Sequence, residues 1–177
     1  MSKATDSKIE IHSGDITKLE VDAIVNAANS RLQPGGGVCG AIHRAAGRNL
    51  REACEKIGRC KTGDAVATDG YELKAKYVIH TVGPVWRGGK QNEDGLLASC
   101  YRTSLKIARQ IGARSVAFPA ISTGIYAFPL ERATQIAVAT VRDFLAQEQE
   151  SDEAVDKVVF CTFGAEAEAA YRKELGR

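Results

Sequence analysis

The chain has 177 residues, a length that suits one compact domain with a two- or three-layer core and is short for two domains of ordinary size. Hydrophobic residues make up 44% and charged residues 26% of the sequence, which excludes extensive disorder and collagen-like repeats. The formal net charge of +2 is too small to indicate an acidic membrane surface as partner or nucleic acid as the main ligand.

The cellular setting is predicted from what the sequence lacks. No apolar run approaches the roughly 20 residues that cross a bilayer, and residues 1–8 lack the apolar segment of a secretory signal. The five cysteines are odd in number and lack metal-ligand spacing, which favours reduced thiols. We therefore expect a cytoplasmic protein without membrane association, folded as a single domain over residues 1–177, monomeric, and with no metal or other cofactor.

Short β-branched segments alternate with longer segments at helical spacing, which predicts an α/β fold with a mostly parallel sheet. Several predicted strands are apolar on both faces, as is typical of central strands covered by helices on each side. The predicted strands are residues 8–13, 23–26, 65–68, 77–81, 115–119 and 157–162. The predicted helices are residues 40–57, 94–111, a segment from Pro129 to about residue 145, and 165–175, with an acidic loop at 147–156.

Three consecutive glycines, Gly35 to Gly37, precede the first predicted helix. With Gly40 they match G-x-G-x-x-G, but a dinucleotide-binding unit has its glycines directly after a strand and an acidic residue roughly 20 residues further on. Neither condition is met here. Glycines let a ligand approach the backbone, and a helix N-terminus favours an anion, so a phosphate-binding loop is predicted, with a flexible turn as the alternative.

A second candidate loop, residues 119–126, follows the fifth predicted strand. Crevices beyond the carboxyl ends of strands are where α/β sheets bind ligands, and Ser122, Thr123 and the backbone around Gly124 supply hydrogen-bond donors. An ordinary strand-to-helix turn is the alternative. Two anion-binding loops in one domain predict a ligand with a diphosphate.

Five segments in order resemble the macrodomains, and within them the hydrolase branch that includes bacterial O-acetyl-ADP-ribose deacetylases. The segments are residues 14–17 (GDIT), 24–29 (IVNAAN), 35–43 (GGGVCGAIH), 79–84 (IHTVGP) and 118–126 (FPAISTGIY). The resemblance implies a three-layer α/β/α domain with a central mixed, mostly parallel sheet. It also implies that the protein binds ADP-ribose and, without a metal, hydrolyses ADP-ribosyl esters, namely O-acetyl-ADP-ribose and mono-ADP-ribose on acidic side chains of proteins.

The resemblance assigns two groups of residues to the adenosine end of the ligand. Asp15 would accept a hydrogen bond from the adenine amine while the backbone N–H of Ile16 meets the ring, and Phe163 would pack on the adenine face. From the residues alone, a turn or cap residue is the alternative for Asp15, and a core aromatic is the alternative for Phe163.

The other implied roles belong to the diphosphate and the distal ribose. Asn29 would orient the distal ribose, Tyr126 would border it, and Asn26 would tie backbone segments together. The residues implied to enclose the diphosphate are Gly35, Gly36, Gly37 and Val38 in the first loop and Ser122, Thr123, Gly124, Ile125 and Tyr126 in the second.

The sequence departs from the hydrolase pattern at Cys39, where those enzymes carry an aspartate, and at Pro34, where they commonly carry glycine. A thiol with a reference pKa of about 8.5 is a poor base at neutral pH. Related macrodomains with an apolar residue there still hydrolyse esters, so the resemblance implies a water positioned by the substrate's own phosphate and by Asn29.

Three alternatives stay open at this stage. The protein could bind ADP-ribose without turnover, since the usual aspartate is missing. Cys39 could be a nucleophile at a helix N-terminus with His43 four residues on as its base. An RNA-regulatory interaction protein fits the mild basicity but lacks an aromatic and basic stripe. We expect His12, His80 and the remaining cysteines to be structural.

Overall fold

The computed structural model describes residues 3–148 and 153–177. Six strands form one sheet in the order β1-β6-β5-β2-β4-β3, and every neighbouring pair is parallel except β3 with β4 at one edge. The strands are β1 (Ile9–Ser13), β2 (Ala23–Ala27), β3 (Ala65–Asp69), β4 (Tyr77–Thr81), β5 (Ser115–Phe118) and β6 (Lys157–Thr162). The prediction of a mixed, mostly parallel sheet is confirmed.

The helices cover both faces of this sheet. They are α1 (Lys3–Asp6), α2 (Gly37–Ala46), α3 (Arg48–Ile57), α4 (Glu93–Gln110), α5 (Leu130–Gln147) and α6 (Ala165–Leu175), together with a 3₁₀ turn at Ile16–Lys18. The 3₁₀ turn and α1 were not predicted, because segments of three and four residues are too short to show a hydrophobic period. Among the described residues, no helix combines the length and apolarity needed to span a membrane.

Two hydrophobic clusters account for the three layers. Successive residues of a strand point to opposite faces, so Ile24 packs with α2 and α3 while Val25 packs with α4 and α5. Both side chains are fully buried. The apolar character of both faces of β2 therefore follows from burial between two helical layers, and the predicted α/β/α arrangement is confirmed.

The predicted single helix over residues 40–57 is wrong. The chain forms two helices that meet at Gly47, whose φ of +88° lies in the left-handed region that favours glycine. The N–H of Gly47 still bonds to the His43 carbonyl, which closes α2 before the chain turns into α3. A side chain at this position would also overlap the Glu72 carboxylate.

The start of α2 also differs from the prediction. The helix begins at Gly37, so Gly37 and Val38 belong to its first turn and only Gly35 and Gly36 precede it. The low helical propensity of glycine favoured a loop there, but the chain enters the helix through Gly37 at a φ of +56°, a left-handed conformation that favours glycine. Other ends agree within one or two residues, with Pro129 just before α5 as its N-cap. The predicted acidic loop at 147–156 includes residues 149–152, which lie outside the described residues.

Candidate functional site

The parallel strands place their carboxyl ends at one edge of the sheet, where ligands bind in this class of fold. Asp15 follows β1 and Phe163 follows β6, so these residues lie on neighbouring strands. The loop at 119–128 follows β5 and the loop at 28–36 follows β2, which are also neighbours. The topology therefore brings the two predicted groups of site residues to the same edge, side by side.

Three buried polar atoms near this edge have no hydrogen-bond partner within the described parts of the chain: Oδ1 of Asn26, Oγ of Ser122 and Oγ1 of Thr162. Asn26 lies near the end of β2, Thr162 ends β6, and Ser122 lies in the loop after β5. Because buried polar groups are normally paired, these atoms leave hydrogen-bonding capacity at the carboxyl end of the sheet.

Asp15 is exposed and caps the 3₁₀ turn that follows β1. Its Oδ1 accepts hydrogen bonds from the Thr17 backbone N–H at 2.9 Å and from the Thr17 hydroxyl at 2.7 Å. These bonds lower the pKa of the Asp15 carboxyl, so it is ionised at neutral pH. Asp15 therefore does serve as a cap residue. Its second oxygen, Oδ2, has no partner in residues 3–148 or 153–177 and can still accept a hydrogen bond.

Phe163 is 90% exposed at the end of β6, so its interpretation as a core aromatic is wrong. A large apolar ring in water is an unusual feature that suits a stacking surface for a planar ligand. The strand that leads to Phe163 is linked to the segment that carries Asp15. The thiol of Cys161 in β6 donates to the carbonyl of Gly14, the residue before Asp15, at 3.4 Å.

The glycine loop presents free backbone donors. Gly36 is the N-cap of α2 and makes no side-chain capping bond, and no acidic residue lies in the first turn. The N–H groups of Gly37, Val38 and Cys39 consequently have no helical acceptor. A Cβ added to Gly36 or Gly37 would meet nothing within 4 Å, so open space lies in front of this backbone. The arrangement suits a phosphate.

The second loop turns at Ser122, which is buried with a φ of +66°. The Thr123 hydroxyl donates to the Ala120 carbonyl at 2.8 Å, so its proton is already used inside the turn. Gly124 faces open space and Ile125 is 93% exposed. Among the described residues, the N–H groups of Gly124 and Ile125 meet no acceptor, which leaves two backbone donors for a ligand.

Gly83, in the loop after β4, allows the close packing of that turn. A Cβ on Gly83 would overlap Ser122 Oγ and the Ile121 side chain, so only glycine lets the two loops approach this closely. Gly83 lies in the segment IHTVGP, but no individual role was predicted for it. A glycine two residues after a buried strand was the available signal.

The loop after β4 is held in place by one buried carboxylate. Glu93 accepts hydrogen bonds from the backbone N–H groups of Arg87, Gly89 and Gln91. Burial opposes ionisation, but these bonds outweigh it and lower the pKa of Glu93 to about 2. In this fixed loop the backbone N–H of Trp86 donates to the Tyr126 carbonyl at 2.8 Å, which positions the second ligand loop.

Asn29 is tied to Gln33, four residues on. Its Oδ1 accepts from the N–H groups of Arg31 and Gln33, each at 3.1 Å, and its Nδ2 donates to the Gln33 carbonyl at 2.8 Å. One amide hydrogen of Asn29 is left for a ligand. The same carbonyl accepts from the Cys39 thiol at 3.6 Å. The role of Gln33 was not predicted, because its backbone atoms make these contacts and any residue type could supply them.

Cys39 is 6% exposed and contacts Asn26, whose Nδ2 donates to Sγ at 3.7 Å. Asn26 therefore links side chains, and the expectation that it ties backbone segments is wrong. Within the described residues neither ring nitrogen of His43 has a hydrogen-bond partner, so no bond joins Cys39 to a base. The geometry gives no support to a Cys-His pair.

His80 lies at the centre of a buried polar cluster. Its Nδ1 contacts Asn26 Nδ2 at 3.1 Å, and its Nε2 contacts the Thr68 hydroxyl at 3.0 Å. Burial, and to a smaller extent His43, lowers the pKa of His80 to about 3. The imidazole is therefore neutral and structural, as predicted. The five cysteines are all buried and unpaired. Across residues 3–148 and 153–177, no group of three or more His, Cys, Asp or Glu side chains is arranged to hold a metal ion.

Comparison with known proteins identifies the family. The Macro domain family model matches residues 25–137, and the chain belongs to the macro domain family. A macro domain-containing protein of Mesorhizobium japonicum is 57% identical over 175 residues, covering 99% of this chain and 97% of that protein.

Two further relatives carry names that bear on chemistry. Mouse ADP-ribose glycohydrolase MACROD2 is 51% identical over 178 residues, which cover 99% of this chain and 36% of the mouse protein. The crystal structure of the Trypanosoma brucei macrodomain in complex with ADP-ribose superposes with a TM-score of 0.89 at 42% identity, covering 97% of this chain and 71% of that one.

Proposed function

We propose that the protein binds ADP-ribose and hydrolyses ADP-ribosyl esters, with O-acetyl-ADP-ribose and proteins carrying mono-ADP-ribose on acidic side chains as substrates. The observation that carries this proposal is the pair of adjacent loops, after β2 and β5, whose free N–H groups face the carboxyl edge of the sheet. The names of the mouse and trypanosome relatives support the choice of ADP-ribose among diphosphates.

The proposed direction of the ligand follows the order of the strands. Adenine is placed over β1 and β6, where Asp15 offers an acceptor and Phe163 an exposed aromatic face. The diphosphate lies between Gly36 and Gly124 in the two loops. The distal ribose then reaches Asn29 at the β2 end, where one amide hydrogen is free.

The proposed reaction uses the substrate's own phosphate. For an ADP-ribosylated acidic side chain, the oxygen of a water molecule bonds to the anomeric carbon of the distal ribose, and the bond from that carbon to the ester oxygen breaks. The carboxylate leaves with the electron pair, and the water proton passes to a diphosphate oxygen. For O-acetyl-ADP-ribose, the water oxygen bonds instead to the acetyl carbonyl carbon, the bond from that carbon to the ribose oxygen breaks, and the ribose oxygen takes a proton as acetate leaves. The protein contributes position: Asn29 holds the ribose and the α2 N-terminus holds the diphosphate.

A second candidate is an ADP-ribose-binding module without turnover. It is favoured by the environment of Cys39, whose thiol already donates to the Gln33 carbonyl and has no carboxylate or imidazole as hydrogen-bond partner among the described residues. In this alternative the binding loops serve the same ligand, and no group activates water.

One experiment separates these functions. The protein is incubated with O-acetyl-ADP-ribose and with a peptide carrying ADP-ribose on a glutamate, and release of ADP-ribose or acetate is followed, while calorimetry measures affinity for ADP-ribose. Turnover of either ester supports the hydrolase. Binding with no turnover supports the module, and absence of binding at millimolar ADP-ribose overturns both.

A further inference from the structure

An open groove of about 370 Å³ lies beside the glycine loop, where α2 meets α3. None of the residues that line it is acidic, and three are arginines. The lining includes Gly35, Gly40, His43, Arg44, Arg48 and Arg51.

The positive charge of the groove is little compensated by the protein. Arg44 and Arg48 are exposed and form no ion pair among the described residues. Arg51 meets Glu55 at 3.3 Å, but both side chains are more than 60% exposed, and such pairs are weak. Arg48 also lies in the first turn of α3, where the helix dipole disfavours a cation.

A buried, unpartnered imidazole lies in the wall of the same groove. His43 is 8% exposed, and neither Nδ1 nor Nε2 has a hydrogen-bond partner in the described parts of the chain. Burial and the nearby charge of Arg51 lower the pKa of His43, so the ring is neutral and offers one N–H donor. The Glu72 carboxylate lies against Gly47 but is not part of the groove lining.

The groove adjoins the proposed distal ribose site through the backbone of Gly35. On one side, a Cβ on Gly35 would lie 3.8 Å from Asn29 Nδ2. On the other, a Cβ on Gly40 would overlap the Gly35 carbonyl and lie 3.0 Å from Arg44 Nη1. Asn29 and the groove therefore lie close to the same residue, Gly35, which packs tightly against α2 at Gly40.

We propose that this groove binds acidic residues of the protein substrate that flank its ADP-ribosylated side chain. The inference rests on the proposed function, because it assumes that the distal ribose sits at Asn29. The protein part of such a substrate must leave the cleft beside this residue, and a strip of carboxylates complements Arg44, Arg48 and Arg51. O-acetyl-ADP-ribose has no part that reaches the groove.

The test compares three substrates: O-acetyl-ADP-ribose, a peptide ADP-ribosylated on glutamate with acidic neighbours, and the same peptide with serine neighbours. The variant carries Arg44→Glu and Arg48→Glu. A matched control carries Arg102→Glu and Lys106→Glu, which make the same charge change on exposed positions of α4, on the opposite face of the sheet.

We expect wild type to prefer the acidic peptide through a lower KM. The groove variant should lose about tenfold or more in kcat/KM on that peptide, since two charge contacts of about 0.7 kcal/mol each correspond to a factor of ten. Its activity on O-acetyl-ADP-ribose should stay within twofold, and the control should behave as wild type. Added salt should reduce the preference of wild type.

The alternative results are distinct. An unchanged rate of the groove variant on the acidic peptide overturns the proposal, as does an equal loss on all three substrates, which would place the arginines in the ADP-ribose site. A short RNA that binds wild type and not the variant, with the peptide unaffected, would reassign the groove. If wild type hydrolyses none of the substrates, the proposed function fails, and affinity for the non-hydrolysed peptides decides the groove by the same comparison.

Discussion

Asn29 and Cys39 donate hydrogen bonds to one acceptor, the backbone carbonyl of Gln33, at 2.8 Å and 3.6 Å. This shared contact joins the loop after β2 to the first turn of α2, and so links the residue proposed to hold the ribose with the loop proposed to hold the diphosphate. It also uses the thiol proton of Cys39 in a structural bond. The position that carries an aspartate in the hydrolases it resembles is therefore a loop anchor in this chain.

Replacing Asn29 with alanine should lower ester hydrolysis at least tenfold, a loss of about 1.4 kcal/mol in transition-state stabilisation, with a smaller change in ADP-ribose affinity. Because Asn29 also holds Gln33, the loop itself is disturbed. Asn29→Asp keeps the two accepted bonds but replaces the donor with a carboxylate oxygen that faces the Gln33 carbonyl, so it should show at least the same loss of kcat. Single-turnover rates and calorimetry check this, and a wild-type kcat in Asn29→Asp would contradict the assigned role.

Cys39→Ala should retain most of the activity, because the thiol acts neither as base nor as nucleophile in the proposed reaction and because Asn29 still holds the Gln33 carbonyl when the longer thiol contact is lost. Cys39→Asp should keep or raise turnover by placing an ionised acceptor near the water. Steady-state rates on O-acetyl-ADP-ribose test both variants. Near-complete inactivation of Cys39→Ala, with a covalent adduct on the wild-type thiol in mass spectrometry, would contradict the substrate-assisted reaction.

The sheet was predictable because each central strand carries apolar residues toward both helical layers, as Ile24 and Val25 do, and this pattern survives in the sequence. The break at Gly47 was not predictable from periodicity, since the apolar stripe continues across it. Its cause is a backbone φ of +88° and the Glu72 carboxylate that fills the space of a side chain. Contacts made by backbone atoms, such as the Gln33 carbonyl, leave no trace in residue identity.

Replacement by valine should have different effects on ligand affinity and on stability at Gly36 and at Gly37. Gly36 has a φ of −87°, which valine adopts, and open space in front of it, so Gly36→Val should fold normally and weaken ADP-ribose binding by blocking the approach of the diphosphate. Gly37 has a φ of +56°, so Gly37→Val adds backbone strain and should also lower the melting temperature. Calorimetry and thermal unfolding separate the two effects. Full affinity in Gly36→Val would show that the loop does not contact the ligand.

Phe163→Ala should leave the free protein as stable as wild type, because the ring is 90% exposed and contributes little packing. Affinity for ADP-ribose should fall about tenfold, in line with ~1–3 kcal/mol for a base stacked on an aromatic side chain. Ribose 5-phosphate, which lacks adenine, should bind both proteins equally. A parallel loss for both ligands would place the ring away from the adenine.

Stability should fall below about pH 6.5 because of His80. Its pKa is about 3 in the folded protein and near 6.5 when unfolded, so between these values the unfolded chain binds a proton that the folded chain does not. The free energy of unfolding therefore decreases as pH drops from 6.5 toward 3, by up to about 2 kcal/mol between pH 7 and pH 5, and is unaffected by this group above pH 7.

His80→Gln should unfold more easily at pH 7, since the contacts to Asn26 and Thr68 change, but should lose less stability between pH 7 and pH 5 than wild type. Urea unfolding at both pH values measures this, with His12→Gln, at an exposed position of β1, as the control. Equal pH dependence in wild type and His80→Gln would show that another group controls acid sensitivity.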